Sequence, residues 1–259
     1  MVNEVKAPLS YSTVCRRCIN YSFSKGGLMK RLLGILAATI LMVEILAAQP
    51  MSGSYTVGGP SPNYATLQAV ANAVKARGVS GPVWFNIRPG IYMENGGLNS
   101  VMILDSIIAG ISSTNRITFQ PDQNSGGNVG NTKLQIDLTT YASTPLVSIQ
   151  TDHVTIRNLT LEDVDSTGVG ADFLISIAAS VVNLTTEDIV IEGCRFIGNP
   201  HPTGGPGYGT EYGVYGSTQV SNIVIRQNTF QRLLLYASNE SSAYKALAAN
   251  EFVGASPKG

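Results

Sequence analysis

His153-Val-Thr-Ile-Arg-Asn-Leu-Thr-Leu161 is followed by Asp188-Ile-Val-Ile-Glu-Gly-Cys-Arg-Phe196, and then by Asn222-Ile-Val-Ile-Arg-Gln-Asn-Thr-Phe230. Each copy opens on a polar residue, runs through a short β-branched stretch, bends, and closes on a large apolar side chain. A weaker copy, Tyr244-Lys-Ala-Leu-Ala-Ala-Asn-Glu-Phe252, ends the series. The central apolar residues Ile156, Ile191, Ile225 and Leu247 are 35, 34 and 22 residues apart. About two dozen residues make a minimal three-strand coil, and loops lengthen a coil without disturbing its strands.

Stacking the copies is a physical test of the repeat. Val154, Ile189 and Ile223 then point inward together, as do Ile156, Ile191 and Ile225. Leu161, Phe196, Phe230 and Phe252 form a third interior file. Arg157, Glu192 and Arg226 fall outside. Stacked strands lie about 4.8 Å apart, so this outer file alternates in charge and is self-compatible. Leu159, Cys194, Asn228 and Asn250 share a bend, where the two asparagines predict a hydrogen-bonded ladder and Cys194 serves as a small stacking residue.

Working back from the repeat, the residues ahead of it are also strand-like. Val83–Ile87, Pro89–Tyr92, Val101–Leu104, Arg116–Phe119, Leu134–Ile136 and Leu146–Ile149 are short apolar runs between Gly, Asn, Ser and Asp clusters. Before them lies the single long helical pattern after residue 50. Pro62 and Asn63 are expected to start it and Gly78 to end it. Tyr64, Leu67, Val70, Ala71 and Val74 share one face. A one-faced helix ahead of a strand-rich region suits an end cap over exposed apolar strands.

The front of the chain reads as an address. Met29-Lys30-Arg31 opens a short basic region, Leu32–Val43 carries no charge, and Ala47-Ala48 precede Gln49-Pro50. That order predicts a secretory signal peptide over residues 29–48, cleaved near Ala48. The apolar run is too short for a bilayer span, so no stable membrane span is expected after cleavage. Residues 1–28 lack periodicity and precede a Met that begins a complete signal. They are expected to be a mis-called upstream extension, which leaves Cys15-x-x-Cys18 without a role. The domain plan is thus 1–28 extension, 29–48 signal, 49–82 strand and capping helix, and 83–259 repeat.

The 17 basic and 17 acidic residues cancel, but unevenly. Residues 1–48 hold Lys6, Arg16, Arg17, Lys25, Lys30 and Arg31 against Glu4 and Glu44, so the remainder is formally −4. With no basic stripe, nucleic acid is not an expected partner. Of three cysteines only Cys194 lies beyond the signal, so the core must hold without a disulfide.

Ser54-Tyr-Thr-Val-Gly-Gly59, the helix around Leu67, and Arg77-Gly-Val-Ser-Gly-Pro-Val-Trp-Phe-Asn-Ile87 resemble the opening of secreted bacterial pectin-lyase-like β-helix proteins. Asn115-Arg-Ile-Thr-Phe-Gln-Pro121 and Val154–Leu161 strengthen the resemblance, which covers roughly residues 52–254. It implies an all-β fold: a right-handed parallel β-helix, or solenoid, with an N-terminal amphipathic capping helix. Such proteins often end in a secretion-sorting domain. None is present here and the last coil lacks a cap, so the chain is expected to be truncated at its C-terminus.

Enzymes of this fold commonly cut acidic polysaccharides. Elimination needs a base with Ca²⁺ held by carboxylates, and hydrolysis needs two carboxylates at a defined separation. The Asn-Thr-Asp, Asp-Asp and Gly-His-Gly elements of the polygalacturonase-like hydrolases are absent. The densest acidic cluster is Glu162, Asp163 and Asp165, with Arg157 nearby; it is either a catalytic or Ca²⁺ site or a solvated turn. Glu187-Asp188 reads as turn chemistry. The loop Gly204–Tyr215 offers Tyr208, Tyr212 and Tyr215 for stacking on sugar rings, with Glu211 or His201 adding hydrogen bonds; otherwise its tyrosines pack back on the strands. No metal ligand set and no cofactor is expected, Ca²⁺ entering only with a lyase.

Two functions follow as expectations. The first is a secreted or cell-surface scaffold or adhesive module that binds glycans and has no catalytic set. The alternative is a polysaccharide lyase or glycoside hydrolase acting on an acidic polysaccharide.

Overall fold

A computed structural model describes residues 49–94, 97–137, 144–164, 173–179, 185–199, 212–217, 219–233, 235–238, 244–248 and 251–253. All of them lie in one compact unit. It is all-β, with one α-helix and parallel strand pairing throughout its sheets, an arrangement compatible with a parallel β-helix.

Strand β1 (Met51–Val57) leads to helix α1 (Leu67–Arg77). Three sheets then receive the chain in rotation. The first orders β1, β2 (Val79–Ile87), β5 (Ile117–Pro121), β8 (Val154–Arg157), β12 (Val190–Glu192), β16 (Ile223–Arg226) and β19 (Tyr244–Ala248). The second orders β3 (Gly90–Tyr92), β6 (Thr132–Ile136), β9 (Thr160–Asp163), β13 (Arg195–Ile197), β17 (Thr229–Gln231) and β20 (Glu251–Val253). The third orders β4 (Met102–Leu104), β7 (Val147–Ile149), β10 (Phe173–Ile177), β14 (Tyr212–Gly216) and β18 (Leu235–Ser238). A short parallel pair, β11 (Thr186–Glu187) with β15 (Val220–Ser221), follows the third sheet.

The repeat sets this register. Ile156, Ile191, Ile225 and Leu247 are successive partners, as are Leu161, Phe196, Phe230 and Phe252. The first file runs further back than the repeat shows, through Phe119 and Phe85 to Tyr55. Between Phe85 and Phe230 the side chains of both files lie in the core: Phe85 and Phe119 stack at 5.2 Å and Phe196 and Phe230 at 4.7 Å between ring centroids. Aligned rings of this kind add to simple area burial.

Both bends of the repeat have left-handed backbone. His153, Asp188 and Asn222 open the copies at φ 54°, 58° and 55°, and Asn158, Gly193 and Gln227 form the bend between the two strands at φ 57°, 62° and 57°. The polar residues at these positions therefore mark geometry; Asn and Asp tolerate this region better than other side chains with a Cβ.

Helix α1 starts later than expected. Thr66 is its N-cap, accepting from Ala69 N, and Gly78 closes it. Asn63 is instead drawn to β1, where Thr56 N donates to Asn63 Oδ1 at 2.8 Å and Asn63 N donates to Thr56 Oγ1 at 3.1 Å. Tyr64 thus lies outside the helix, bridged to Val57, and packs on Tyr55 and Phe85. Leu67, Val70, Ala71 and Val74 are buried as the pattern predicts. Ile103 N, on the edge strand β4, donates to Gln68 Oε1, and Lys75 pairs with Asp105 at 2.8 Å.

Candidate functional site

Alternation along β9 separates the two described members of the acidic cluster. Leu161 is interior, Glu162 turns outward, and Asp163 turns back inward, where it is only 1% exposed. Neighbouring carboxylates on one strand face opposite sides of the sheet, so Glu162 and Asp163 do not converge. Glu162 accepts from Gln135 Nε2 at 2.9 Å and faces Lys133 Nζ at 3.5 Å. Asp163, far from lying in a solvated turn, is buried and partnered. Asp165 is outside the described residues. Near β9, buried Asp137 Oδ1 has no hydrogen-bond partner among the described residues.

Arg157 stands on the first sheet and is engaged there. Its Nε donates to Gln120 Oε1 at 2.7 Å, and its guanidinium lies 3.9 Å from Glu192. Gln120 Nε2 donates onward to Asn86 Oδ1 at 2.7 Å, while Arg226 Nε donates to Glu192 Oε2 at 2.9 Å. The result is one outward ladder, Asn86–Gln120–Arg157–Glu192–Arg226, across five strands. The alternating charges expected of Arg157, Glu192 and Arg226 form its far half.

Tyr212 and Tyr215 belong to strand β14 rather than to a loop. Their rings cluster with Phe173, whose centroid is 5.9 Å from that of Tyr212 and 4.6 Å from that of Tyr215. Both tyrosines are half-buried on the third sheet. His201, Tyr208 and Glu211 lie outside the described residues.

A network the sequence reading missed surrounds Asp188, which that reading took for turn chemistry. His153 Nδ1 lies 2.7 Å from Asp188 Oδ2, the Arg116 guanidinium contacts the same oxygen, and Asn222 Nδ2 donates to Oδ1 at 3.1 Å. Burial raises the Asp188 pKa, but the hydrogen bond from His153 and the Arg116 charge outweigh it, holding the carboxyl below its ordinary value. The only available signal was positional, since His153, Asp188 and Asn222 all open repeat copies.

At the other bend, Cys194 N donates to Asn228 Oδ1 at 2.8 Å and Asn228 Nδ2 donates to Ile191 O at 3.0 Å. Asn228 therefore satisfies the backbone of the preceding copy. Asn250, its expected ladder partner, is outside the described residues. Complete burial pushes the Cys194 thiol up to about 12, which removes it as a nucleophile. Among the described residues, no group of three His, Cys, Asp or Glu side chains is placed to hold a metal ion, and no helix is long and apolar enough to cross a membrane. In comparison with known proteins, the chain matches no family model, no curated protein and no solved structure.

Proposed function

We propose that this chain is an exported or cell-surface protein whose repeat region is a right-handed parallel β-helix of the pectin-lyase-like kind, capped by α1, and that it works as a non-catalytic scaffold or adhesive module binding glycans. The observation that carries the reading is the fate of the outward polar groups. Arg157, Glu192 and Gln120 bind one another along the stack, and Glu162 binds Gln135 and Lys133. Groups held this way reinforce the strand pairing and do not meet as an acid and a base. Export rests on the basic, apolar and small-residue order of residues 29–48.

Two measurements test it. The secreted product is expected to begin at or next to Gln49 by N-terminal sequencing, and a product beginning at Met1 overturns export. Incubation with pectate and other acidic polysaccharides, with and without Ca²⁺, is expected to release neither unsaturated uronides nor reducing ends. Turnover that disappears in Glu162→Gln replaces this reading with the lyase or hydrolase alternative.

A further inference from the structure

We infer that the outer face of the first sheet carries a binding site for a neutral glycan, centred on Trp84; this rests on the adhesive reading above and names its ligand class and place. Trp84, the chain's single tryptophan, sits outward on β2 between its register partners Ser54 and Thr118. The ring is half-buried beside a depression of about 390 Å³ lined with Ser54, Asn86, Gln120, Asp122, Gln123 and Asn124. That volume falls in the range of about 300–1,000 Å³ typical of small-ligand sites.

The indole is available to a ligand. Tyr55, Phe85 and Phe119 stack inside the sheet, whereas among the described residues no ring lies on Trp84 and its Nε1 makes no hydrogen bond. An outward tryptophan in a file otherwise made of Ser, Thr, Val and Ala presents a flat apolar body with a polar tip.

Asp122 apart, the polar groups around it are neutral and directional. The hydrogen-bond chain begins at the charged Arg157, passes through Gln120, and ends at Asn86 Oδ1. Each amide in the chain polarises the next. The Asn86 Nδ2 group, a donor of two hydrogens, has no partner among the described residues, and Asn86 lines the depression. Gln123 and Asn124 are exposed, line the same depression and add amide donors and acceptors.

The charged groups at and beside the depression are already committed. Asp122 is buried, accepts from Ser125 Oγ at 2.6 Å, and lies 3.8 Å from the Arg88 guanidinium. Arg157 faces Gln120 and Glu192. An aromatic face ringed by amides, with the Asn86 Nδ2 group unpaired among the described residues, and by a serine hydroxyl complements the C–H face and hydroxyl rim of an uncharged pyranose. It offers no free cation to a uronate.

The test is a titration of the full chain with soluble neutral polysaccharides (a β-glucan and a mannan) and with pectate, read by tryptophan fluorescence, which reports Trp84 alone. A neutral glycan is expected to shift the emission to shorter wavelength in a saturable way, and pectate to leave it unchanged. Affinity electrophoresis of Trp84→Ala is expected to show at least a tenfold loss of retardation, and Asn86→Ala a several-fold loss. Unchanged circular dichroism and thermal midpoints show that both variants fold; the conservative Trp84→Phe, which is expected to retain part of the binding, provides the same test if Trp84→Ala does not. Binding that survives Trp84→Ala but is lost in Tyr215→Ala overturns the Trp84 site while leaving the adhesive reading intact. No binding of either neutral polysaccharide overturns the site's ligand class, and polysaccharide cleavage overturns the non-catalytic reading itself.

Discussion

Gln227 and Asn158 occupy the same bend in different copies, both with left-handed backbone, φ 57° in each. Asparagine suits that conformation and glutamine does not. Gln227→Asn is therefore expected to stabilise the protein by about 0.5–1 kcal/mol, seen as a higher urea midpoint. The reverse holds at Gly193, φ 62°, where an added Cβ meets Asn158 Oδ1; Gly193→Ala is expected to cost about 1–2 kcal/mol. The Asp188 carboxylate is held by His153, Arg116 and Asn222. Its folded pKa is depressed, so its stabilisation is fully present above the unfolded value and is lost as pH falls through the folded one. Asp188→Asn is expected to lose about 1–2 kcal/mol near neutrality, discounted for the partial exposure of the network. The gap between variant and parent should close in acid when urea unfolding is followed against pH.

Among the elements, the second sheet depends most on its aromatic file. Phe196 and Phe230 are fully buried and nearly parallel, with 9° between ring planes. Phe196→Ala opens a cavity in a close-packed stack and is expected to cost about 3–5 kcal/mol by chemical denaturation. On the first sheet, Glu192→Lys lines up three cations in successive strands. It is expected to cost about 1–2 kcal/mol, and added salt should reduce that penalty by screening. Much of this was legible in advance. The files through Ile191 and Phe196 and the ladder through Glu192 follow from period and alternation alone. The start of α1 was not, because Asn63 is claimed by a side-chain pairing with Thr56 that becomes available only once β1 lies beside it.

Along the outward ladder of the first sheet, side chains of successive strands bind one another at intervals of 34 to 37 residues, and the closest paired strands elsewhere are 22 to 30 residues apart. Stability in such an arrangement is largely a sum over neighbouring interfaces. The strand-rich class, the inward files and the alternating outer charges are written in the amino-acid order, because they depend on local patterning that any stacked arrangement must respect. The same order placed one bend at Leu159, Cys194 and Asn228, one residue beyond the left-handed Asn158, Gly193 and Gln227. Only the tertiary structure decided what each polar group does. Glu162 and Asp163 are adjacent in sequence and face opposite sides of a strand. Asp188, read as an ordinary turn residue, gathers His153, Arg116 and Asn222 from other passes of the chain. Trp84 stood among core-forming neighbours in sequence and lies outside, beside an unpaired amide. A side chain's partner here sits one strand away in space but some three dozen residues away in sequence, so its role is set by register.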